Sequence, residues 1–366
     1  MIASNEQALN FSDILLTWDK KKNKRKMPWK GEKDPYKIWL SEIILQQTRV
    51  EQGLRYYENF VSVFPDIDAL AIAPDQKIYK LWEGLGYYTR CRNLIQTARY
   101  IKSQLRGNFP DKYDEIKQLK GVGPYTAAAI ASFAFNEPRA VVDGNVFRVL
   151  SRIFDIRKPI DTAAGKKLFA QLAHKLLDKQ RPGLYNQAIM DFGATICKPM
   201  PECTQCPFSK YCIAFQNKEV LNLPVKSKQT IIRKRWFYYI RLHYRGKLAI
   251  RQRIEKDIWR NLFEFLLIES EKELDEKEIL KKLQKRGWLV RNGVDAKSFS
   301  PIFKQQLSHQ LIEGRIADLK MRHKPNLMDD AIWVRKEEIK NYAFPKFITQ
   351  YLRKQEMSAK KIHISM

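Results

Sequence analysis

No apolar stretch of this 366-residue chain reaches the length of a membrane-crossing helix, and no basic amphipathic helix stands out to lie on a membrane surface. A membrane role is therefore not expected. The N-terminus, Met1-Ile2-Ala3-Ser4-Asn5-Glu6, lacks the charged and apolar regions of a signal peptide, which points to an intracellular protein. The chain carries no internal repeat and no low-complexity tract, so a repeat architecture is excluded. Cysteine is scarce: five residues, of which Cys197, Cys203, Cys206 and Cys212 share one short stretch. In a reducing compartment that clustering excludes a disulfide framework and reads as a metal site. Cys91, alone among Thr89, Arg90 and Arg92, reads as an incidental helix residue. Acidic side chains are also in deficit. The 40 Asp and Glu stand against 67 Lys and Arg, a net charge of +27. That excess suits a nucleic-acid partner, which would make the protein cytoplasmic and nucleoid-associated in a bacterium, or nuclear elsewhere.

The length suffices for two ordinary domains. Up to about residue 216 the apolar pattern is helical, in 8–18, 38–50, 53–64, 92–105, 124–135, 146–154, 166–177 and 183–196. Proline and glycine punctuate between these runs. Lys20-Lys21-Lys22-Asn23-Lys24-Arg25-Lys26 reads as a solvated loop near DNA. Beyond Cys212 the composition changes. Leu223-Pro224-Val225-Lys226-Ser227-Lys228 reads as a linker, and Trp236–Leu242 and Leu248–Arg251 as strands. A helix at about 273–285 and short strands near 301–307 and 310–319 complete an α+β domain.

Three features could do chemistry. The turn Gly121-Val122-Gly123, with Pro124 at the first helical position, can aim backbone N–H groups at an anion, since glycine has no Cβ to block approach. A helix cap with a tight turn is the plainer reading. Twenty residues past Gly123, Asp143 precedes a helix whose Val146, Val149, Leu150 and Ile153 share a face. A helix N-terminus favours an ionised carboxylate there, and simple N-capping is compatible with that. Glu42 has only Ile38, Trp39, Leu45 and Gln46 as helical neighbours, none cationic. Apolar surroundings raise a carboxyl's pKa and keep it able to donate a proton; a surface Glu at the edge of the apolar stripe is the alternative. The two carboxylates are thus expected to be pushed in opposite directions. The four cysteines, spaced by five, two and five residues, can ligate tetrahedral zinc or a [4Fe–4S] cluster, and spacing does not choose between them.

Taken with Pro28-Trp29, Asp34-Pro35-Tyr36, Ser41-Glu42 through Gln47-Thr48-Arg49-Val50, Trp82 through Tyr88 and Val142-Asp143-Gly144-Asn145-Val146, these features resemble the MutY family of adenine DNA glycosylases, helix-hairpin-helix base-excision enzymes. The likeness spans the catalytic half and implies a [4Fe–4S] cluster on Cys197, Cys203, Cys206 and Cys212. It implies that Glu42 protonates a flipped adenine at N7, that Asp143 stabilises the sugar cation with Asn145 holding it, and that Tyr125 assists at the sugar. Gln47, Leu85 and Tyr87 would wedge into the duplex beside 8-oxoguanine, Gln187 would face the adenine edge, and Gly121 and Gly123 would grip the DNA backbone. Tyr125 stands where the related endonuclease III group places a lysine nucleophile, so the resemblance implies a monofunctional glycosylase. Leu307-Ser308-His309 matches the family's Phe-Ser-His loop that contacts 8-oxoguanine, with Leu for Phe. No Nudix catalytic box of clustered glutamates accompanies it. The first cysteine gap is five residues where the family usually has six.

The resulting expectation is a mainly helical glycosylase domain over 1–222 with an iron–sulfur loop at 197–212, a linker over 223–232, and a Nudix-like α+β domain over 233–366. The expected partner is double-stranded DNA with A:8-oxoG or A:G mispairs, met by a monomer. A glycosylase for another mismatched base, such as thymine, and a non-catalytic damage sensor are the alternatives.

Overall fold

The computed structural model describes residues 5–227, 232–289, 293–327 and 330–364. They group into two compact units: Met1–Ala73 with Arg92–Lys228, and Pro74–Cys91 with Gln229–Met366. The expected division into 1–222, a linker over 223–232 and 233–366 differs from this at 223–227, which group with the first unit, and in the grouping of Pro74–Cys91 with the C-terminal residues. Hydrogen bonds account for the latter. Tyr79 Oη accepts from Asn261 Nδ2 at 2.8 Å, and Glu83 Oε1 accepts from the Phe344 N–H at 2.8 Å. No helix among the described residues is long and apolar enough to cross a membrane.

The first unit is helical. Its main helices are Asn5–Lys22, Pro35–Leu45, Val50–Val63, Pro124–Phe135, Gly144–Ile153, Ala163–Leu176 and Pro182–Thr195. Pro35–Leu45 is buried almost all round, from Ile38 through Ile44, which marks a central helix; it packs on Val50–Val63 and Pro124–Phe135. Leu15, Val149, Leu150, Phe169 and Phe192 form a core contributed by four helices and shielded completely from solvent.

Three expectations change. The helix read over 38–50 stops at Leu45, because Gln47 takes φ +56°, a left-handed conformation no helix can carry through. The short helices Ile67–Ile72 and Tyr113–Ile116 went unread, being shorter than the window in which a 3.6-residue period shows. The basic run at 20–26 is not simply a solvated loop. Lys20–Lys22 end the first helix, and Arg25 Nη1 reaches the buried Asp191 at 2.9 Å.

The second unit carries a sheet of β1 (Arg233–Tyr244), β2 (Lys247–Gln252), β3 (Phe263–Glu264), β4 (Leu266–Ser270), β5 (Val294–Phe299), β6 (Phe303–Gln306), β7 (Gln310–Met321) and β8 (Ala331–Arg335). β1 runs parallel to β7 and antiparallel to β4. Its residues Arg235–Leu242 are buried, as expected for a strand covered on both faces. Side chains alternate. Trp236, Tyr238 and Ile240 share a core with Ile279 and Leu283 of the helix Glu276–Lys285. Tyr239 points the other way, its ring 5.7 Å from that of Phe347 on the helix Lys346–Ile364. β3, β4, β5, β8 and this last helix were not anticipated. Leu307–His309 forms the tight connection between β6 and β7, closed by the Leu307 N–H to the Gln310 carbonyl at 2.7 Å.

Candidate active site

Glu42, Gln47, Tyr125, Asp143, Asn145 and Gln187 line one cleft of about 580 Å³ in the first unit. Glu42 enters from the central helix and is 8 % exposed. Burial pushes its carboxyl up to about 7; a hydrogen bond from Tyr125 opposes the shift, and the charge of Asp143 adds to it. The burial comes from the packing of the central helix against Val50–Val63 and Pro124–Phe135.

Asp143 caps the helix Gly144–Ile153. Its Oδ1 accepts from the Val146 N–H at 2.8 Å and its Oδ2 from Asn145 Nδ2 at 2.9 Å. The two carboxylates are not pushed in opposite directions. Burial also raises Asp143, outweighing the donors at Val146 and Asn145 and the positive charge of Arg148. The contrast that remains is in donors. Asp143 holds a backbone and a side-chain donor that favour its ionised form, while only Tyr125 does this for Glu42. The helix Pro182–Thr195 lies against this turn so closely that a Cβ on Gly193 would sit 2.6 Å from the Asn145 Cβ, so only glycine fits. Arg148 binds the turn from the other side, donating to Asn145 Oδ1 at 2.8 Å and to the Gly193 and Cys197 carbonyls at 2.7 Å each. Tyr125 is half-buried; burial, then the charges of Glu42 and Asp143, hold its phenol well above its ordinary value, so it is a neutral donor. Its hydroxyl lies 3.3 Å from Met190 Sδ.

In the hairpin, Gly121 has φ +83° and is exposed, and Gly123 caps the helix Pro124–Phe135 without a side-chain hydrogen bond. The first N–H groups of that helix therefore receive no cap from Gly123, and Pro124 has none to satisfy. Gln47, at the cleft, and Tyr87, in the second unit, are both exposed at positive φ, +56° and +49°. Left-handed backbone in non-glycine residues is strained and concentrates at functional sites. Tyr87 Oη lies 2.6 Å from Ser308 Oγ, and Ser308 and His309 are exposed on their loop. Leu85 differs from expectation. It is 5 % exposed, turned into the protein, and presents no wedge in this conformation.

All four clustered cysteines line a second cavity, with Phe192, Ile196 and Phe215. Arg152 Nη1 lies 3.6 Å from Cys197 Sγ, and its guanidinium also holds the Lys198, Pro199 and Leu223 carbonyls. Burial pushes the thiols of Cys203, Cys206 and Cys212 up, Cys206 to about 12, the opposite of what a bound cation does. Among the described residues no three potential ligands gather tightly enough for a single ion. Four thiols around one cavity, with a cation beside them, are a donor set that fits a four-thiolate metal centre, tetrahedral zinc or a [4Fe–4S] cluster.

Comparison with known proteins decides the family. The HhH-GPD superfamily of base excision DNA repair proteins matches residues 40–175, and the NUDIX domain matches 237–354. An adenine DNA glycosylase of Buchnera aphidicola subsp. Baizongia pistaciae is 36% identical over 82% of this chain and 83% of its own. The chain belongs to the adenine DNA glycosylase family. The human adenine DNA glycosylase is 41% identical over 57% of this chain and 40% of its own. Among solved structures, a thermostable thymine-DNA glycosylase superposes with TM-score 0.54 and 30% identity, over 58% of this chain and 98% of its own. Endonuclease III in a trapped DNA complex shares the fold at TM-score 0.51 and 19% identity, over 59% of this chain and 98–99% of its own across two complexes.

Arg25 and Met190, which line the cleft, and Arg148 and Asp191, which bond to its lining residues Asn145 and Gln187, were not read as such from the sequence. One signal was available. Asp191 lies one helical turn beyond Gln187, and Arg148 three residues beyond Asn145, so each pair shares a helix face.

Proposed function

We propose that the chain hydrolyses the N-glycosidic bond of adenine mispaired with 8-oxoguanine or guanine in duplex DNA, leaving an abasic site. The observation that carries this reading is the meeting of Glu42, Tyr125 and Asp143 in one cleft, with Glu42 held protonated near neutrality. The target bond is unreachable in a stacked duplex, so the adenine is flipped into the cleft. Glu42 gives its proton to adenine N7, and the electron pair of the glycosidic bond leaves with the base. The ionised Asp143, held by Asn145 and the Val146 N–H, stabilises the sugar cation until water adds and loses a proton.

Gly121 and Gly123 present the hairpin to the DNA backbone. Gln47 and Tyr87 enter the duplex from strained turns, and Ser308 and His309 meet 8-oxoguanine. Cys197, Cys203, Cys206 and Cys212 hold a [4Fe–4S] cluster, which supplies a structural centre for their loop and no step of the reaction. Tyr125 has no amine and cannot form an imine, so the reaction is that of a monofunctional glycosylase, with at most weak strand cleavage. The protein acts as a monomer.

The likeness to a thymine-DNA glycosylase makes thymine release the reading to test against. Duplexes carrying A:8-oxoG, A:G and T:G are incubated with excess protein and then split into alkali-treated and untreated samples. Release from the first two, with strand breaks largely confined to the alkali-treated samples, supports the proposal. Release from T:G alone, or as many breaks without alkali as with it, overturns it.

A further inference from the structure

Asp191 is completely buried on the helix Pro182–Thr195 and belongs to no reacting group described above. Four donors surround it. Its Oδ1 accepts from Arg25 Nη1 at 2.9 Å and from Gln187 Nε2 at 3.0 Å. Its Oδ2 accepts from Asn23 Nδ2 at 2.9 Å and from Lys30 Nζ at 3.0 Å. A carboxylate offers about four acceptor sites, so this one is saturated. Gln187 and Arg25 both line the cleft that holds Glu42 and Asp143.

We propose that Asp191 is a positioning residue that fixes the polarity of the Gln187 amide, and that this polarity selects a base carrying an exocyclic amine over one carrying a keto oxygen. This rests on the base-release reading. An amide can rotate by half a turn and exchange its donor and acceptor ends, and the hydrogen-bond network decides which end faces where. Here rotation would set the Gln187 Oε1 against a carboxylate oxygen. The Nε2 end is therefore tied to Asp191, and Oε1 is the end left for a ligand. An acceptor in that position pairs with an amine such as the N6 group of adenine. It faces the O6 of hypoxanthine or guanine oxygen to oxygen, and a site built around one hydrogen-bond polarity rejects the wrong partner strongly. Arg25 and Lys30 pair with Asp191 at 2.9 and 3.0 Å and so hold the 23–30 segment to the same buried carboxylate.

The test compares duplexes in which the target base is adenine, unsubstituted purine or hypoxanthine, all opposite 8-oxoguanine and all retaining N7. Single-turnover release is followed against protein concentration, which separates half-saturation from the limiting rate. Wild-type half-saturation should rise in the order adenine, purine, hypoxanthine, with the ends differing on the order of tenfold or more. Asp191→Asn can offer an amide nitrogen of its own to Gln187 Oε1 and so permits rotation. It should shrink the adenine-over-hypoxanthine ratio by about that factor while the limiting rate on adenine changes much less. Gln187→Leu should shrink the ratio equally, and adding Asp191→Asn to it should change the ratio no further. An unaltered ratio in Asp191→Asn, with equal losses on both bases, would assign Asp191 to structure alone and overturn the inference. Should Asp191→Asn not fold, the wild-type order decides: hypoxanthine half-saturating at or below purine overturns it. A wild type that releases no adenine at any concentration takes down the base-release reading and this inference with it, whereas adenine release with an unchanged ratio takes down this inference alone.

Discussion

Glu42 concentrates the account at the scale of one residue. The folded protein binds its proton more tightly than the ordinary value of 4.5, up to about 7. The neutral, donating form therefore prevails below about 7 and is lost above it. Single-turnover excision should fall as pH rises through that value, and Glu42→Gln should remove this limb while lowering excision on the order of 10² or more. DNA affinity of Glu42→Gln should stay near wild type, since the change is nearly isosteric. Excision that stays near wild type in Glu42→Gln would strip Glu42 of the role of acid. The linked effect on stability has the same sign. This group's contribution is fully present below 4.5 and is lost as pH rises towards about 7, a dependence that melting curves of Glu42→Gln should lack.

The cysteine loop is the element on which the cofactor proposal stands. Protein purified without oxygen should be brown and contain about four irons per chain. Stoichiometric zinc in their place would support a single four-thiolate ion and contradict the cluster. Cys203→Ser should weaken DNA binding more than it disturbs the fold of residues 233–366. At this scale the sequence was most legible where period and burial agree. The amphipathic helix Gly144–Ile153 and the continuous run Trp236–Leu242 both stand in the structure as read, because one apolar stripe and one twice-covered strand leave few alternatives. The end of the helix Pro35–Leu45 was not legible, since nothing local in Gln46-Gln47-Thr48 announces a left-handed residue. Neither was the attachment of Arg25 and Lys30 to Asp191, which joins positions more than 160 residues apart. The carboxylates at 42 and 143 were found from their neighbours along the helix. The upward shift of Asp143 was not, because burial is set by the helices that pack over it.

Across the whole molecule, the proposal assigns recognition of the lesion and excision of the base to different residues. Ser308 and His309 sit on the β6–β7 loop of the second unit, while Glu42 and Asp143 belong to the first. Replacing Ser308 and His309 together by Ala should weaken A:8-oxoG affinity by one to two powers of ten, from contacts worth roughly 1–3 kcal/mol. A:G affinity should change much less, and excision at saturation should persist. Equal losses on both pairs would return the loop to general DNA binding. The central claim is that the Glu42–Tyr125–Asp143 cleft releases adenine. Chromatography of the free base from an A:8-oxoG duplex, after a single turnover at pH 7 with wild type and Glu42→Gln side by side, tests it most directly. The account predicts one equivalent of adenine from the wild type and a rate lower by on the order of 10² from the variant; no adenine from the wild type, or equal rates from both, would contradict it.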